Sequence, residues 1–382
     1  MRSLASPGPR ADRSGTMFIG TTAFLMLLIV AFATRHPALL AAYTLAAFAV
    51  VLANVRRLSR LDRREGVMVG VVVATLTLML PLATLRNQSA IAHYLTILTS
   101  LGAAYVLTRR MTVYLSASRW SLLAAQAAVG VYLAYVGLED FPLENMLPDS
   151  SSNGVTSYLV LLQANYCIVH FAVRRRTSVL TSLVTLAICI VGFGRGSLIA
   201  AAAILAINVL FTPLLKTRAQ ALLATALIVV AAAGTYVRFE EELVGFVETN
   251  TKIGVGLEDE PRERIIRDYL GRIDAWSLLV GADYRGTAIE DDYNGNPHNS
   301  YIRAHHLFGL PYVLTMLVFP IALMRAQTPF PVKVFSILMG GVVLFRSFTE
   351  PILFPTLFDF YWFAICFGLA SLSSRVHPRA RP

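Results

Sequence analysis

Apolar runs of a length that suits a lipid bilayer recur along nearly the whole of this 382-residue chain. Each run approaches the roughly 20 residues that an α-helix needs to cross a membrane. The chain is 56% hydrophobic and has a mean hydropathy of +0.61, which is too apolar for an ordinary soluble domain. A membrane barrel would show short alternating segments instead, and the sequence has none. The pattern predicts an all-α fold, a polytopic bundle of transmembrane helices.

We predict about twelve spans, near 17–33, 38–55, 66–85, 89–108, 120–138, 155–173, 178–193, 197–214, 219–236, 301–324, 334–353 and 355–373. No small-residue cleavage site follows the first run, so we interpret it as a retained helix rather than a signal peptide. The predicted organisation is a transmembrane bundle over 1–236, a long periplasmic loop over 237–300, and the rest of the bundle over 301–382.

The chain has a net charge of +10, and its basic residues are distributed as the predicted topology requires. If the N-terminus is cytoplasmic and the spans alternate, basic clusters such as 56–64 and 174–176 face the cytoplasm, and few acidic residues join them. This distribution obeys the positive-inside rule. It predicts a multi-pass membrane protein with both termini in the cytoplasm. Because the charge is explained by topology, we expect no nucleic-acid partner.

The long loop contains a segment with helical periodicity, PRERIIRDYLGRIDAWSLLVG (261–281). Pro261 suits the first turn of a helix and Gly281 suits its end. One apolar stripe at helical spacing is formed by Ile265, Ile266, Tyr269, Leu270, Ile273 and Trp276. We therefore predict one amphipathic helix whose apolar stripe rests on the membrane surface or on the transmembrane bundle.

Arg195 interrupts an apolar region in the sequence VGFGRGSLIAA. A charged residue within a bilayer is costly, so it is usually functional or paired. The topology predicts that Arg195 lies in a tight turn at the outer end of two spans, where Gly192, Gly194 and Gly196 let the backbone approach a bulky ligand. The alternative is an arginine that extends to lipid headgroup phosphates.

Arg346 and Glu350 form a second charged feature within an apolar region, LFRSFTEPILF. Residues four apart lie on the same face of a helix. One interpretation is a self-neutralising pair within the membrane. The other is a functional pair, in which Glu350 holds Arg346 toward an outer cavity.

His298 follows Pro297 and precedes Asn299 at the mouth of the tenth predicted span. Histidine has an ordinary pKa near 6.5, so it can act as a base at neutral pH. The alternative is an ordinary histidine at the membrane interface, and we give that interpretation to His305 and His306, which lie deeper in the span.

The same histidines do not predict a metal site. His298 and His305 are seven residues apart, but no carboxylate pattern joins them. A calcium loop is also disfavoured, because Pro297 stands at the position of its glycine and Arg303 at that of its final glutamate. We expect neither a metal nor another cofactor.

The Gly-Arg-Gly turn, the late loop with an arginine-rich helix, and the sequence PHNSYIRAHHLFGLP together resemble the superfamily of O-antigen ligases and Wzy-type polysaccharide polymerases. These are bacterial inner-membrane enzymes that resemble GT-C glycosyltransferases in fold. The segments that match best are 191–200 and 261–311, with weaker support from FRSFTEP at 345–351. The general architecture covers the whole chain.

The resemblance implies a substrate and a set of site residues. The donor would be a glycan linked to undecaprenyl pyrophosphate. Arg195 and a loop arginine, either Arg262 or Arg264, would bind the pyrophosphate, and His298 would be the catalytic base. The other substrate-binding candidates are Asn299, Arg346 and Glu350. This sequence differs from the family pattern at two places that bear on the choice of loop arginine. Ile265 or Ile266 stands where the family often has Trp, and GADYRG stands where the family commonly has G-x-G.

The chemistry of these residues suits such a donor. Arginine binds phosphate through two parallel hydrogen bonds and keeps its charge in a poorly hydrated site. Pyrophosphate is a good leaving group, so a base for the acceptor hydroxyl is needed more than an acid. The first hypothesis is therefore a polymerase that joins lipid-linked repeat units at the outer face by inverting, metal-independent glycosyl transfer.

Two alternatives remain open at this point. A ligase would move a finished lipid-linked glycan onto another acceptor, with the same donor and fold. A flippase for lipid-linked oligosaccharides would be expected to carry charges within a central cavity and on both sides of the membrane. Besides membrane lipids, the resemblance implies chain-length regulator and export proteins as partners.

Overall fold

The computed structural model describes residues 12–58, 61–138, 142–148, 151–192, 194–212, 260–324 and 328–373. Within these ranges every regular element is a helix and no strand occurs. The helices are α1 (Asp12–Thr34), α2 (Pro37–Ala53), α3 (Val55–Leu58), α4 (Arg63–Arg86), α5 (Ala90–Thr108), α6 (Met111–Val136), α7 (Ser152–Arg174), α8 (Val179–Val191), α9 (Arg195–Leu210), α10 (Glu260–Leu270), α11 (Ala275–Val280), α12 (Ala288–Asp291), α13 (Ser300–Leu323), α14 (Phe330–Thr349) and α15 (Asp359–Ser373).

The described part of the chain contains 6 helices that are long and apolar enough to cross a membrane: α1, α4, α5, α7, α13 and α14. Shorter apolar helices accompany them, among them α2, α8, α9 and α15. The chain is therefore a helical membrane protein. All the predicted spans overlap helices except the ninth, 219–236, which lies outside the described residues. The number of twelve crossings stays a prediction.

Helix α7 lies at the centre of the bundle and is buried along almost its whole length. Its Gln163 amide nitrogen donates to Ser182 Oγ at 3.1 Å, and Thr185 Oγ donates to Gln163 Oε1 at 3.1 Å. Asn208 of α9 donates to the same Ser182 oxygen at 2.8 Å. Polar groups shielded from water must find such partners inside the protein. These bonds fix α8 and α9 against α7, and so they position the turn that carries Arg195.

The glycines of that turn make close contacts within the protein. A Cβ atom at Gly192 would lie 2.4 Å from Thr156 of α7, and one at Gly194 would lie 2.4 Å from the Asn153 side chain. The sequence analysis assigned these glycines to the approach of a ligand. The structure corrects this interpretation, because their small size lets the turn pack against the start of α7.

The predicted single helix over 261–281 is two helices. Helix α10 ends at Leu270, and α11 begins after Asp274, whose carboxylate accepts a hydrogen bond from the Ser277 backbone N–H at 2.7 Å. The hydrogen bonds from Ser277 lower the pKa of Asp274. This cap starts a new helix in a new direction. As a result the predicted apolar stripe is divided: Ile265 and Tyr269 are buried, whereas Trp276 is 63% exposed.

His305 of α13 fastens both of these loop helices to the bundle. Its Nε2 donates to the Leu278 carbonyl of α11 at 2.8 Å. Because a carbonyl only accepts, Nδ1 is the acceptor for the Tyr269 hydroxyl of α10 at 2.7 Å. Burial raises the pKa of Tyr269, which keeps its phenol a proton donor. His305 is thus a buried residue that connects elements of the fold, whereas the sequence predicted only an ordinary histidine at the membrane interface.

His306 and Arg86 make the neighbouring attachments. His306 Nδ1 donates to the Ala282 carbonyl at 2.7 Å, and its ring stacks on Tyr284 with the ring centres 3.7 Å apart. Arg86, the last residue of α4, donates to the Val280 carbonyl at 2.6 Å and to the His306 carbonyl at 3.0 Å. The C-terminal end of α11 is therefore held by side chains of two membrane-spanning helices.

Gly309 marks a kink within α13, with φ of 69° and ψ of −179°. A Cβ atom there would lie 2.2 Å from the Leu279 carbonyl oxygen. Only glycine adopts this backbone conformation at low cost, and other residues lose about 1–3 kcal/mol. We expect Gly309→Ala to lower the unfolding temperature of the detergent-solubilised protein by several degrees. Gly340→Ala is the control, since no atom lies within 4 Å of a Cβ placed there. Equal unfolding temperatures for the two variants would contradict this account.

Candidate functional site

A cavity of about 280 Å³ opens at the end of the bundle where α9 and α13 begin and α14 ends, which we call the cavity end. Its lining is Arg195, Gly196, Ile199, Arg262, Glu263, Ile266, Pro297, His298, Asn299, Phe345, Phe348 and Thr349. Four separate regions of the sequence meet here: the start of α9, the loop helix α10, the segment before α13 and the end of α14. Four predicted site residues line the cavity together, namely Arg195, Arg262, His298 and Asn299.

Arg195 is the first residue of α9 and is half-buried in the cavity wall. The helix follows Gly194, so no side chain caps its first turn, and that turn contains no acidic residue. The N-terminus of a helix carries a partial positive charge and unpaired N–H groups. The guanidinium and the helix terminus therefore make this wall favourable for an anion.

Arg262 and Arg264 differ in position although both belong to α10. Arg262 lies in the cavity with Ile266, one helical turn further along. Arg264 lies outside the lining: its side chain is 63% exposed and pairs with Asp292 at 3.2 Å. Residues four apart share a helix face and residues two apart do not. The fold brings Arg262 and not Arg264 next to Arg195.

Glu350 joins the loop to the bundle below the cavity. One of its carboxylate oxygens lies 3.1 Å from Arg262 Nη2 and 3.7 Å from Arg346 Nη2. Glu350 is buried, and it ends α14 in an extended conformation. The sequence analysis considered only the pair of Arg346 with Glu350. The structure adds Arg262 to it, so two arginines share one buried carboxylate.

Arg346 lies behind the cavity wall, where it is 1% exposed. Its Nε donates to Ser197 Oγ at 3.1 Å, and its Nη1 donates to the Thr349 hydroxyl. Gly196 makes room for it, because a Cβ atom there would lie 2.9 Å from Arg346 Nη1. The Arg346 Nη2 atom makes no hydrogen bond within the described part of the chain. Arg346 and Glu350 thus support the cavity from behind.

His298 has an unusual backbone conformation at the edge of the cavity. Its φ is 46°, in the left-handed region, and its backbone N–H donates to the Asn296 side chain at 3.1 Å. Its ring and that of Tyr293 are nearly perpendicular, with the ring centres 5.5 Å apart. Non-glycine residues in this region often occur at functional sites. Tyr293 and Asn296 therefore help to hold His298 at the cavity.

Asn299 begins α13. Its side-chain oxygen accepts hydrogen bonds from the backbone N–H groups of Tyr301 at 2.8 Å and Ile302 at 3.1 Å. This is the N-cap role that asparagine commonly takes. The amide oxygen is therefore occupied by the helix, and only the amide nitrogen is left to act as a donor toward a ligand.

The sequence analysis missed several residues of the lining. Glu263 of α10 is exposed beside Arg262 and is a second group that can accept a proton. Ile199, Phe345 and Phe348 add apolar side chains to the lining, and all three are exposed. No sequence pattern distinguishes these apolar residues from their neighbours in the spans. The cavity consequently has both charged and apolar lining residues.

A larger cavity of about 550 Å³ lies between α2 and α5, and its lining includes Pro37, His93, Thr96 and Leu357. None of the predicted site residues lines it. The smaller cavity is therefore the better candidate for a catalytic or anion-binding site.

Comparison of the chain with protein-family models, with curated proteins and with solved structures finds no match. A function for this chain is therefore inferred from the geometry and chemistry of this cavity and from the resemblance in sequence motifs.

Proposed function

We propose that this chain is a bacterial inner-membrane glycosyltransferase, a polysaccharide polymerase that joins repeat units linked to undecaprenyl pyrophosphate. One observation carries the proposal: Arg195, Arg262 and His298, which are far apart in sequence, line one cavity at the end of a membrane bundle. The GT-C-like architecture of about twelve spans, with a long periplasmic loop, belongs to the same proposal.

The charged and the apolar residues of the lining suit the two parts of such a donor. Arg195, Arg262 and the start of α9 offer charge to a pyrophosphate. Ile199, Phe345 and Phe348 offer an apolar surface to the lipid chain that carries it. A lipid-linked glycan places its reacting bond where lipid meets water, so its enzyme needs both surfaces at one point.

The proposed reaction is a direct displacement at the anomeric carbon of the donor. His298 takes the proton of an acceptor hydroxyl, and the oxygen attacks the anomeric carbon from the side opposite the pyrophosphate. The bond from that carbon to the pyrophosphate oxygen breaks, and the electron pair leaves with the pyrophosphate. Arg195 and Arg262 stabilise the charge that develops there. The product has inverted configuration, and the chain's own residues supply each of these roles without a metal.

The proposed orientation places the cavity end in the periplasm and both chain termini in the cytoplasm. We expect Asp291→Cys, near the cavity, to react with a membrane-impermeant maleimide in spheroplasts. Arg64→Cys, at the start of α4, should react only after the membrane is permeabilised. The native cysteines are buried, so the wild-type protein supplies the unlabelled control. The opposite labelling pattern would contradict the orientation.

An assay with purified protein in vesicles distinguishes the three candidate activities. Lipid-linked repeat units are added, and products are separated by size and by attachment to lipid. Longer glycans on the lipid indicate a polymerase. Transfer that occurs only when a second acceptor is supplied indicates a ligase. Movement of the donor across the vesicle membrane without new bonds indicates a flippase and would overturn the proposal. Arg195→Ala should abolish the first two activities, because the developing charge loses its partner.

A further inference from the structure

The segment AWSLLVGA (275–282), which we call the α11 tip, carries no charge, although charged residues flank it. Asp274 precedes it and Asp283 follows it. Its large side chains point outward: Trp276 is 63% exposed, Leu278 44% and Leu279 47%. An exposed cluster of this kind on a protein surface marks an interaction site.

The α11 tip lies beside a membrane-spanning helix and below that helix's first turn. It contacts α13 from His305 to Gly309. These residues follow Ser300 by roughly five to nine positions, which is about 8 to 14 Å along the helix. Helix α13 has 24 residues, so it exceeds the roughly 30 Å of hydrocarbon only slightly. The α11 tip therefore lies several Å inside the edge of the hydrocarbon layer at the cavity end.

The backbone carbonyl groups of the α11 tip have hydrogen-bond donors within the protein, as a position in the membrane requires. The carbonyl groups of Leu278, Val280 and Ala282 accept hydrogen bonds from side chains of α13 and α4. The donors are His305, Arg86 and His306. Non-helical backbone at membrane depth is tolerated where protein groups satisfy it, since hydrocarbon offers no partners. A loop surrounded by water would not need these donors.

Exposed apolar side chains also occur on the two helices that hold the α11 tip. Leu85 of α4, next to Arg86, is 79% exposed, and Leu314 of α13 is 50% exposed. Both belong to helices long and apolar enough to span the membrane. Trp276 and Leu279 add exposed apolar side chains near the depth where tryptophan is enriched in membrane proteins.

We propose that the α11 tip is embedded in the lipid leaflet at the cavity end and anchors the loop to the membrane. Its partner is the boundary between headgroups and acyl chains, where Trp276 would lie. Asp274 and Asp283 mark where the segment enters and leaves that layer. This inference is independent of the proposed reaction. As a consequence of this anchor, α10, the helix that carries Arg262, is held over the cavity by lipid as well as by protein.

Tryptophan fluorescence tests this inference without any activity assay. The chain has three tryptophans, of which Trp120 is exposed on α6 and Trp362 is buried in the protein core. Two variants are reconstituted in phospholipid vesicles: Trp120→Phe, and Trp120→Phe with Trp276→Phe. The difference between their spectra reports Trp276 alone, and Trp362 stays in both as an internal reference. Quenchers are phospholipids labelled at a shallow acyl position and iodide in the aqueous phase.

We expect the labelled phospholipid to remove most of the Trp276 signal and iodide to remove little. The control adds Asp291→Trp to the double-Phe variant, because Asp291 is exposed on α12 outside the α11 tip. That tryptophan should show the reverse pattern. Quenching of Trp276 by iodide but not by lipid would overturn the inference in favour of a solvated loop. Protection from both quenchers would overturn it in favour of coverage by protein.

Discussion

Replacing His298 with Asn is expected to lower the rate of glycan transfer at least about 100-fold, the usual contribution of a general base. Asparagine tolerates the left-handed backbone that residue 298 adopts, so the cavity keeps its shape. It cannot accept a proton from a hydroxyl group at neutral pH. Donor binding should be nearly unchanged, because the arginines remain. The measurement is single-turnover transfer in vesicles, with donor binding determined separately.

Glu263→Gln is the matched comparison for this experiment. Glu263 is the other residue of the described lining that can take a proton at neutral pH. If Glu263→Gln loses more transfer activity than His298→Asn, the base is Glu263 and the assignment to His298 is wrong. If the two variants bind the donor equally well but differ in transfer rate, the slower variant identifies the residue that accepts the proton. The comparison is direct because both substitutions preserve the approximate size of the side chain.

Arg262→Ala is expected to reduce transfer by about 100- to 1,000-fold, the range observed when one group that stabilises developing charge is removed. The loss should exceed that of Arg264→Ala, two residues away on the same helix. Arg264 pairs with Asp292 on the surface, and such exposed pairs contribute about 1 kcal/mol or less. Arg262→Lys should recover part of the activity, because it restores charge without the paired hydrogen bonds.

Two outcomes of the comparison between Arg262→Ala and Arg264→Ala would contradict this prediction. Equal losses in Arg262→Ala and Arg264→Ala would mean that α10 acts through its total charge and not through one placed side chain. A greater loss in Arg264→Ala would place the donor on the outer face of α10. Circular dichroism and unfolding temperatures of the solubilised variants establish that both remain folded.

The sequence predicted the helical membrane architecture because bilayer thickness imposes a strong and repetitive pattern. The predicted spans within the described residues all overlap helices, and the turn before Arg195 lies where the sequence placed it. The loop was harder to predict. The apolar stripe from Ile265 to Trp276 continues at helical spacing through Asp274, and periodicity alone gives no reason to end the helix there. Helix α10 nevertheless ends at Leu270, and the cap formed by Asp274 and Ser277 starts a separate helix, α11.

The choice between Arg262 and Arg264 could not be made from the sequence. The sequence resemblance left both arginines open, and the packing of Ile265 and Tyr269 against α13 sets which face of α10 meets the cavity. Arg346 and Glu350 form a recognisable pair four residues apart, but the addition of Arg262 to that pair was invisible for the same reason. Arg262 is 88 residues from Glu350, and no local pattern joins the two.

Gly192 and Gly194, near Arg195, were interpreted wrongly because the small size of glycine has two explanations. A glycine without a side chain can leave space for a ligand or for a neighbouring helix. The sequence does not distinguish the two, whereas the 2.4 Å approach of Thr156 to a Cβ at Gly192 does. Gly309 and Gly281 serve the same purpose at the contact between α11 and α13.

The attachment of α10 and α11 to the bundle has a consequence for how molecules reach the cavity. Tyr269, His305, His306 and Arg86 fix the loop helices by buried hydrogen bonds, and Glu350 fixes α10 from below. Loop helices attached in this way are expected to stay in place while a ligand enters and leaves the cavity. If the proposed function is correct, the lipid carrier would enter from the membrane past Ile199 and Phe348, whose exposed side chains line the cavity, and would leave along the same path.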